Sequence, residues 1–242
     1  MVSILERIHL LELDVVDSTN RLAYDLGFSG AKPWTIVHAL EQTSGRGRRQ
    51  NDWLSPRGNL FLSAILKPIN GPKRWSELSF VISLAVADTV AEVADRSIIG
   101  LKWPNDVLID NKKVCGILIE SAINGDNSEF VVGIGINYSL PQKESWWGEI
   151  GGLTDILPRE KLINSILKGI INYLENGYQN WQDAWEKRCV HMSIELEAVS
   201  NNQKDTEIGI FNGIDEEGKM LLQTTKELKV ISSGECSIKG IY

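Results

Sequence analysis

Cysteine is scarce: the 242 residues contain three, Cys115, Cys189 and Cys236, spaced for neither a disulfide framework nor a Cys-x-x-Cys metal or redox pair. That usage fits a reducing cytoplasm. Histidine is equally rare, and His9, His38 and His191 have no metal-ligand spacing, so they read as structural or surface residues and no protein-held metal site is expected. No apolar run is long enough to span a bilayer. The segment from Met1 to Glu12 is interrupted by Glu6, Arg7 and His9 and lacks the small-residue cleavage site of a secretory signal. Membrane association is therefore not expected. Lys and Arg number 25 against 32 Asp and Glu, and a net charge of -7 without a dense basic tract offers no broad phosphate-tracking surface for nucleic acid. No Ser or Cys nucleophile stands beside a plausible base.

What is present is an ordinary globular balance, 43% hydrophobic and 24% charged, enough for one large domain and a small one. His9 to Asp14 reads as a strand. Asp17-Ser18-Thr19-Asn20 then supplies cap residues ahead of an amphipathic stretch from Arg21 to Leu26. Trp34 to Leu40 and Leu60 to Leu66 are apolar, β-branched runs. They are separated by a long polar segment, Gln42 to Asn59, of the kind that is more often functional than connective. Apolar residues from Leu78 to Val93 keep a helical period, predicting a helix over Trp75 to Ala94 that covers a sheet face. Val107 to Ile109 and Val114 to Ile119 flank a hairpin turn at Asp110-Asn111-Lys112-Lys113, and Phe130 to Ile136 adds a strand after Asn124-Gly125-Asp126-Asn127. These antiparallel signals argue against a doubly wound nucleotide fold. Past Pro158, Leu162 to Leu174 predicts an amphipathic helix and Gly177 to Arg188 a shorter one, after which the large domain should end. Ser193 to Ser200, Ile208 to Ile214, Met220 to Thr224, Glu227 to Ile231 and Glu235 to Ile238 read as short strands, most simply of a small barrel.

Chemistry concentrates in a few segments. Gly45-Arg46-Gly47-Arg48-Arg49 sets three guanidinium groups on a backbone freed by two glycines, so that several can converge on one carboxylate or phosphate. It is not a Walker loop, and taken alone it reads as a solvated basic turn. Trp53 and the following Ser55-Pro56-Arg57-Gly58-Asn59 anchor it at a defined distance from its arginines. Lys102-Trp103-Pro104-Asn105-Asp106 packs a lysine, an amide and a carboxylate into five positions between strands, more than a turn needs. Gly133-Ile134-Gly135-Ile136-Asn137 ends a strand with two small residues and an amide, and tight sheet packing explains them equally well. Ser18-Thr19-Asn20 is by default a capping cluster, although the same side chains can satisfy a ureido ring buried in an apolar pocket. Trp146-Trp147 reads as core, with a substrate lid as the alternative.

Taken in order, Ser18-Thr19-Asn20, Gln42 to Arg48, Trp53, Lys102 to Asp106, Gly116-Ile117-Leu118 and Gly133 to Asn137 resemble the motifs of the biotin protein ligase family. The segment around Ser233-Gly234-Glu235 is similar to that family's C-terminal unit. The resemblance implies an α+β fold: a mainly antiparallel sheet with helices packed on it, like the class II synthetases, over residues 1–190, and a small all-β SH3-like barrel over 191–242. It implies ATP-dependent activation of biotin to biotinoyl-5'-AMP and transfer to a lysine of a biotin carboxyl carrier protein, with Mg2+ as activator. By position, Ser18, Thr19, Asn20 and Gln42 would meet the biotin head, and Gly116, Leu118, Gly133 and Gly135 would line its pocket. The loop Gly45, Arg46, Gly47, Arg48 would fold over it. Arg46, Arg48 and Lys102 would carry the catalysis, and Arg48, Trp53, Lys102, Asn105 and Asn137 would face the adenylate. Asp106 would orient or deprotonate the acceptor amine.

One departure is visible. The family commonly continues Gly-Arg-Gly-Arg-Arg with Gly-Arg, whereas Gln50-Asn51 stand here, which removes one loop cation and one flexible joint. Lipoate protein ligase, whose arginine and glycine signature differs, and a biotin-binding regulator without catalysis are the competing readings. A DNA-binding repressor is not expected, because the seventeen residues before Ser18 cannot hold a helix-turn-helix domain. An exposed sheet edge would suit either a homodimer contact or the docking of the carrier.

Overall fold

The computed structural model describes residues 8–67, 77–92, 98–124, 127–141, 144–150, 159–176, 180–200, 205–234 and 236–239. The chain opens with strand β1 (His9–Val16), helix α1 (Thr19–Phe28), β2 (Thr35–Gln42) and β3 (Leu60–Leu66). Helix α2 (Leu78–Ala91) follows, then β4 (Ile99–Lys102), β5 (Asp106–Ile109), β6 (Lys112–Asn124) and β7 (Asn127–Ile136). Their sheet has the order β1-β2-β3-β7-β6-β5-β4. Only β1 with β2 is parallel; the other neighbours are antiparallel, as the hairpin signals required.

Alternation along the strands divides the core between the two sheet faces. Val37, Ile65 and Val131 pack with Ala23 of α1 on one face. Ile36, Leu62 and Val132 join α2 and helix α3 (Arg159–Asn176) on the other. Helix α2 lies between sheet and α3, which explains why it is apolar all round rather than striped. Gly169 of α3 lets the two helices close up, since a methyl group there would meet the Ala85 Cβ at 3.2 Å. The expected ends of α2 at Trp75 and Ala94, together with Pro158, Gly177 and Glu235, lie outside the described residues.

Two local expectations sharpen. The loop between β5 and β6 contains only Asp110 and Asn111, both with positive φ (48° and 63°), which is what a two-residue hairpin loop following the right-handed strand twist demands. Helix α1 begins at Thr19 with Ser18 as its N-cap, accepting from the Arg21 amide at 3.4 Å, so Thr19 and Asn20 belong to the first helical turn and not to the cap.

Helix α4 (Trp181–Glu186) leads into β8 (Glu195–Ser200), β9 (Thr206–Ile214), β10 (Met220–Gln223), β11 (Leu228–Ile231) and β12 (Cys236–Lys239). They form an antiparallel sheet of order β11-β10-β9-β8-β12 around Leu196, Phe211, Met220 and Leu222. The expected barrel is an open sheet here: among the described residues β11 and β12 do not pair to close it. The two sheets meet at Trp103, which is 2% exposed and donates its indole N–H to the Gly218 carbonyl at 3.0 Å.

Candidate active site

The α1 face of the large sheet carries two cross-strand rows. Phe61, Gly135 and Gly116 form one; Ser63, Gly133 and Leu118 form the other. Because four of these six side chains are absent or small at the centre of a seven-stranded sheet, the surface sinks into a cleft of about 360 Å3. Ser18, Thr19, Asn20, Gln42, Arg46, Gly47, Arg48, Trp53, Lys102, Asn105, Gly116, Leu118, Gly133, Gly135 and Asn137 all line it. Gly45 does not. It is buried beneath the loop, where a Cβ would lie 2.3 Å from the Ser55 Oγ and 2.4 Å from the Trp53 carbonyl, so it shapes the loop instead.

One end is a polar relay. The Thr19 amide and hydroxyl donate to Gln42 Oε1 at 2.8 and 3.0 Å, and Gln42 Nε2 donates to the Ser55 Oγ at 2.8 Å. Ser55 donates in turn to the Trp53 carbonyl, and Ser63 to the Thr19 Oγ1, each at 2.8 Å. Asn20 differs. Its Nδ2 donates to Glu120 Oε2, while its Oδ1 is buried without a partner. A buried acceptor left unpaired is costly, so this oxygen is set for a donor brought by a ligand. Gly133 makes room for it, since a Cβ there would stand 2.6 Å from the Oδ1.

The other end is cationic. Lys102, at the end of β4, is 7% exposed; burial pushes its pKa down to about 8, with Lys113 adding to the effect and Asp106 opposing it. Arg48 donates to Asn105 Oδ1 at 3.2 Å and to the Ser233 carbonyl at 2.6 Å. Burial, and then the charge of Arg49, hold its pKa below the ordinary guanidinium value. Asn105 Nδ2 donates to the Ile117 carbonyl at 2.7 Å, and Asn137 Nδ2 to the Lys113 carbonyl at 3.3 Å. Arg46 sits at the mouth, half exposed, and pairs with Glu120 at 2.9 Å. Arg49 also lines the cleft and donates to the Cys236 carbonyl on its wall. Burial pushes the Cys115 thiol well above its ordinary pKa and that of Cys189 to about 12, so neither supplies a thiolate at neutral pH.

Three contributors went unassigned in the sequence. Lys113 lines the cleft, pairs with Asp106 at 2.7 Å and stands 5.2 Å from the centre of the Trp53 ring. In the sequence it is an ordinary hairpin lysine. Glu120 and Ser63 are strand residues whose partners are remote along the chain. Trp146 and Trp147, read as core with a lid as the alternative, meet edge to face at 5.3 Å on the cleft wall, tied to Lys113 by a backbone bridge.

The sequence matches the Biotin/lipoate A/B protein ligase family over residues 12–137 and the biotin protein ligase C-terminal domain over residues 199–239. It is 31% identical over 243 residues to the biotin–[acetyl-CoA-carboxylase] ligase of Paracoccus denitrificans, covering 93% of this chain and 98% of the relative. Identity to the bifunctional ligase/repressor BirA of Escherichia coli is 32% over 241 residues, covering 94% of this chain and 73% of that protein. Among solved structures, the biotin protein ligase from Aquifex aeolicus in complex with biotin and ATP superposes with a TM-score of 0.80 at 28% identity, over 96% of this chain and 98% of that one.

Proposed function

The chain belongs to the Biotin/lipoate A/B protein ligase family, and on that premise we propose that its cleft joins biotin to AMP and hands the activated acyl group to a carrier lysine. It is a biotin–[carboxyl carrier protein] ligase. The observation that carries this reading is the pairing, within one cleft, of an unspent buried acceptor at Asn20 with a cluster of cations around Lys102. A cyclic urea fits the first and a carboxylate meeting a triphosphate fits the second.

In the first step a biotin carboxylate oxygen attacks the α-phosphorus of ATP and pyrophosphate leaves. Both reactants are anionic, so the attack is slow until charge is neutralised and the atoms aligned; Arg46, Arg48, Lys102 and Lys113 supply fixed positive charge where it is needed. Mg2+ enters with ATP as part of the substrate, bound to its phosphates. Ser18, Thr19 and Gln42 hold the head group, Leu118 and the glycine floor bound it, and Trp53, Asn105 and Asn137 face the adenylate. In the second step the lysine ε-amine attacks the acyl carbon, AMP departs, and the amine loses a proton. Asp106, on the cleft wall, orients that amine.

The proposed acceptor is the carrier protein of acetyl-CoA carboxylase or a related carboxylase, following the name of the Paracoccus relative. A division at residue 190 into catalytic and C-terminal units is supported by the two family matches. Among the described residues no helix is long and apolar enough to cross a membrane, and the three free cysteines suit the cytoplasm.

The test is to incubate the protein with a carrier domain, ATP, and either biotin or lipoate, then weigh the carrier. The expected product carries one biotin. Modification by lipoate alone, or none by either vitamin, overturns the reading.

A further inference from the structure

Glu120 has no part in the roles given above, yet its carboxylate joins the two ends of the site. Oε2 accepts from Asn20 Nδ2, and Oε1 accepts from Arg46 Nη2 at 2.9 Å. Asn20 belongs to the polar end and Arg46 to the arginine loop. Resting on the biotin reading, we infer that Glu120 is a specificity-determining positioning residue: it fixes which end of the Asn20 amide faces the ligand, and ties that choice to the placement of Arg46.

The argument is one of donors and acceptors. An amide side chain presents an NH2 on one side and an oxygen on the other, whereas an ionised carboxylate only accepts. With Glu120 beside it, the NH2 must turn to the carboxylate; the reverse orientation would set oxygen against oxygen. The Oδ1 is thereby committed to the cleft, where it is buried, unpartnered and given space by Gly133. A ligand that brings an N–H to that point relieves the unpaired acceptor; one that brings a sulfur does not. A cyclic urea has such an N–H and a dithiolane ring has none, so the fixed amide rejects the second by leaving the oxygen unsatisfied. Arg46 in turn pairs with the three-quarters-buried Glu120 at 2.9 Å. The mouth of the loop and the reader of the head group therefore share one anion.

Glu120→Gln preserves size but removes the constraint, because a glutamine amide can either donate to Asn20 or accept from it. In biotin-dependent exchange of labelled pyrophosphate into ATP, the expected result is a rise of about tenfold or more in KM for biotin, exceeding any fall in kcat. In an Asn20→Ala background the same substitution should raise KM much less, because the amide it orients is gone. A wild-type KM in Glu120→Gln, or the same fold-rise with and without Asn20, overturns the inference. Thermal melts establish folding, and if the glutamine variant does not fold, Glu120→Asp, which keeps the charge but shortens the reach, is read by the same two criteria. Absence of biotin-dependent exchange in the wild type brings down the ligase reading and this inference together. Wild-type exchange with an unaffected variant brings down the inference alone.

Discussion

The indole of Trp53 is seated on Gly135, where an added methyl group would come within 2.6 Å of the Nε1 and 2.7 Å of Cε2. Gly116, the register partner of Gly135, lies under another part of the ring, where a methyl group added to Gly116 would come within 2.8 Å of Cζ3. Two strands are bare at one level so that an aromatic from a loop can lie on them. The seated Nε1 is buried and unpartnered, a donor left over in the wall of the cleft.

Gly135→Ala should therefore unseat Trp53. Overpacking at such a site costs about 1–3 kcal/mol, which a folded domain of this size can absorb. Adenylation should suffer more, falling about 10- to 100-fold in kcat/KM as the aromatic wall and its donor are displaced. Pyrophosphate exchange beside urea unfolding separates the two effects, and a variant with unchanged kcat/KM would refute the seating role.

Lys102→Ala and Lys113→Ala remove fixed charge from the part of the cleft where the two anions are proposed to meet. Each should lower kcat about 100-fold, by analogy with deletion of a preorganised donor, and change biotin affinity less. Calorimetric titration with biotin, set against turnover at saturation, decides the matter. Collapse of affinity with turnover intact would show that the lysines hold the vitamin without assisting its activation.

The buried position of Lys102 gives the reaction an alkaline limit. Its pKa is pushed from 10.5 to about 8, so the ammonium proposed to meet the phosphates is lost as pH rises through 8. kcat/KM for exchange should fall along a limb with its midpoint near 8, and Lys102→Arg, which stays charged, should move that limb upward. Stability moves the other way. Between about 8 and 10.5 the unfolded chain retains a proton that the folded chain has released, so this residue makes the fold more stable as pH rises.

His191 imposes an acid limit. It is fully buried, with its ring 4.3 Å from that of Phe211 and both nitrogens unpartnered. Burial first, and then the charge of Lys102, push its pKa from 6.5 down to about 3. In that interval the unfolded state binds a proton that the folded state refuses, so stability should fall with acidification by about 1.4 kcal/mol per pH unit from this one site. Urea midpoints between pH 6.5 and 4 should be flatter in His191→Leu than in the parent. Parallel curves would assign the acid sensitivity elsewhere.

Much of the site was legible because its chemistry is compressed into short runs. Lys102 to Asp106 has too many functional groups for a turn, and the two glycines among the arginines from Gly45 to Arg49 let several guanidinium groups converge. What remained hidden depends on register. Glu120 matters through residues 100 and 74 positions away. Lys113 reaches the cleft only because the Asp110-Asn111 loop turns β6 back along β5. The fold followed the same division. A short apolar run revealed β3 and the helical period revealed α2, but the parallel pairing of β1 with β2 and the open edge between β11 and β12 are long-range choices that no local pattern encodes.

The contact of Trp103 with the Gly218 carbonyl, and the grip of Arg48 on that of Ser233, mean that the last fifty residues are not a detachable appendage. A foreign module spliced on in their place would have to reproduce two main-chain oxygens in space, whatever side chains it brought. Natural or engineered chimaeras of this enzyme should thus tolerate free choice of sequence on the outer strands and almost none in the path of the backbone at those two points.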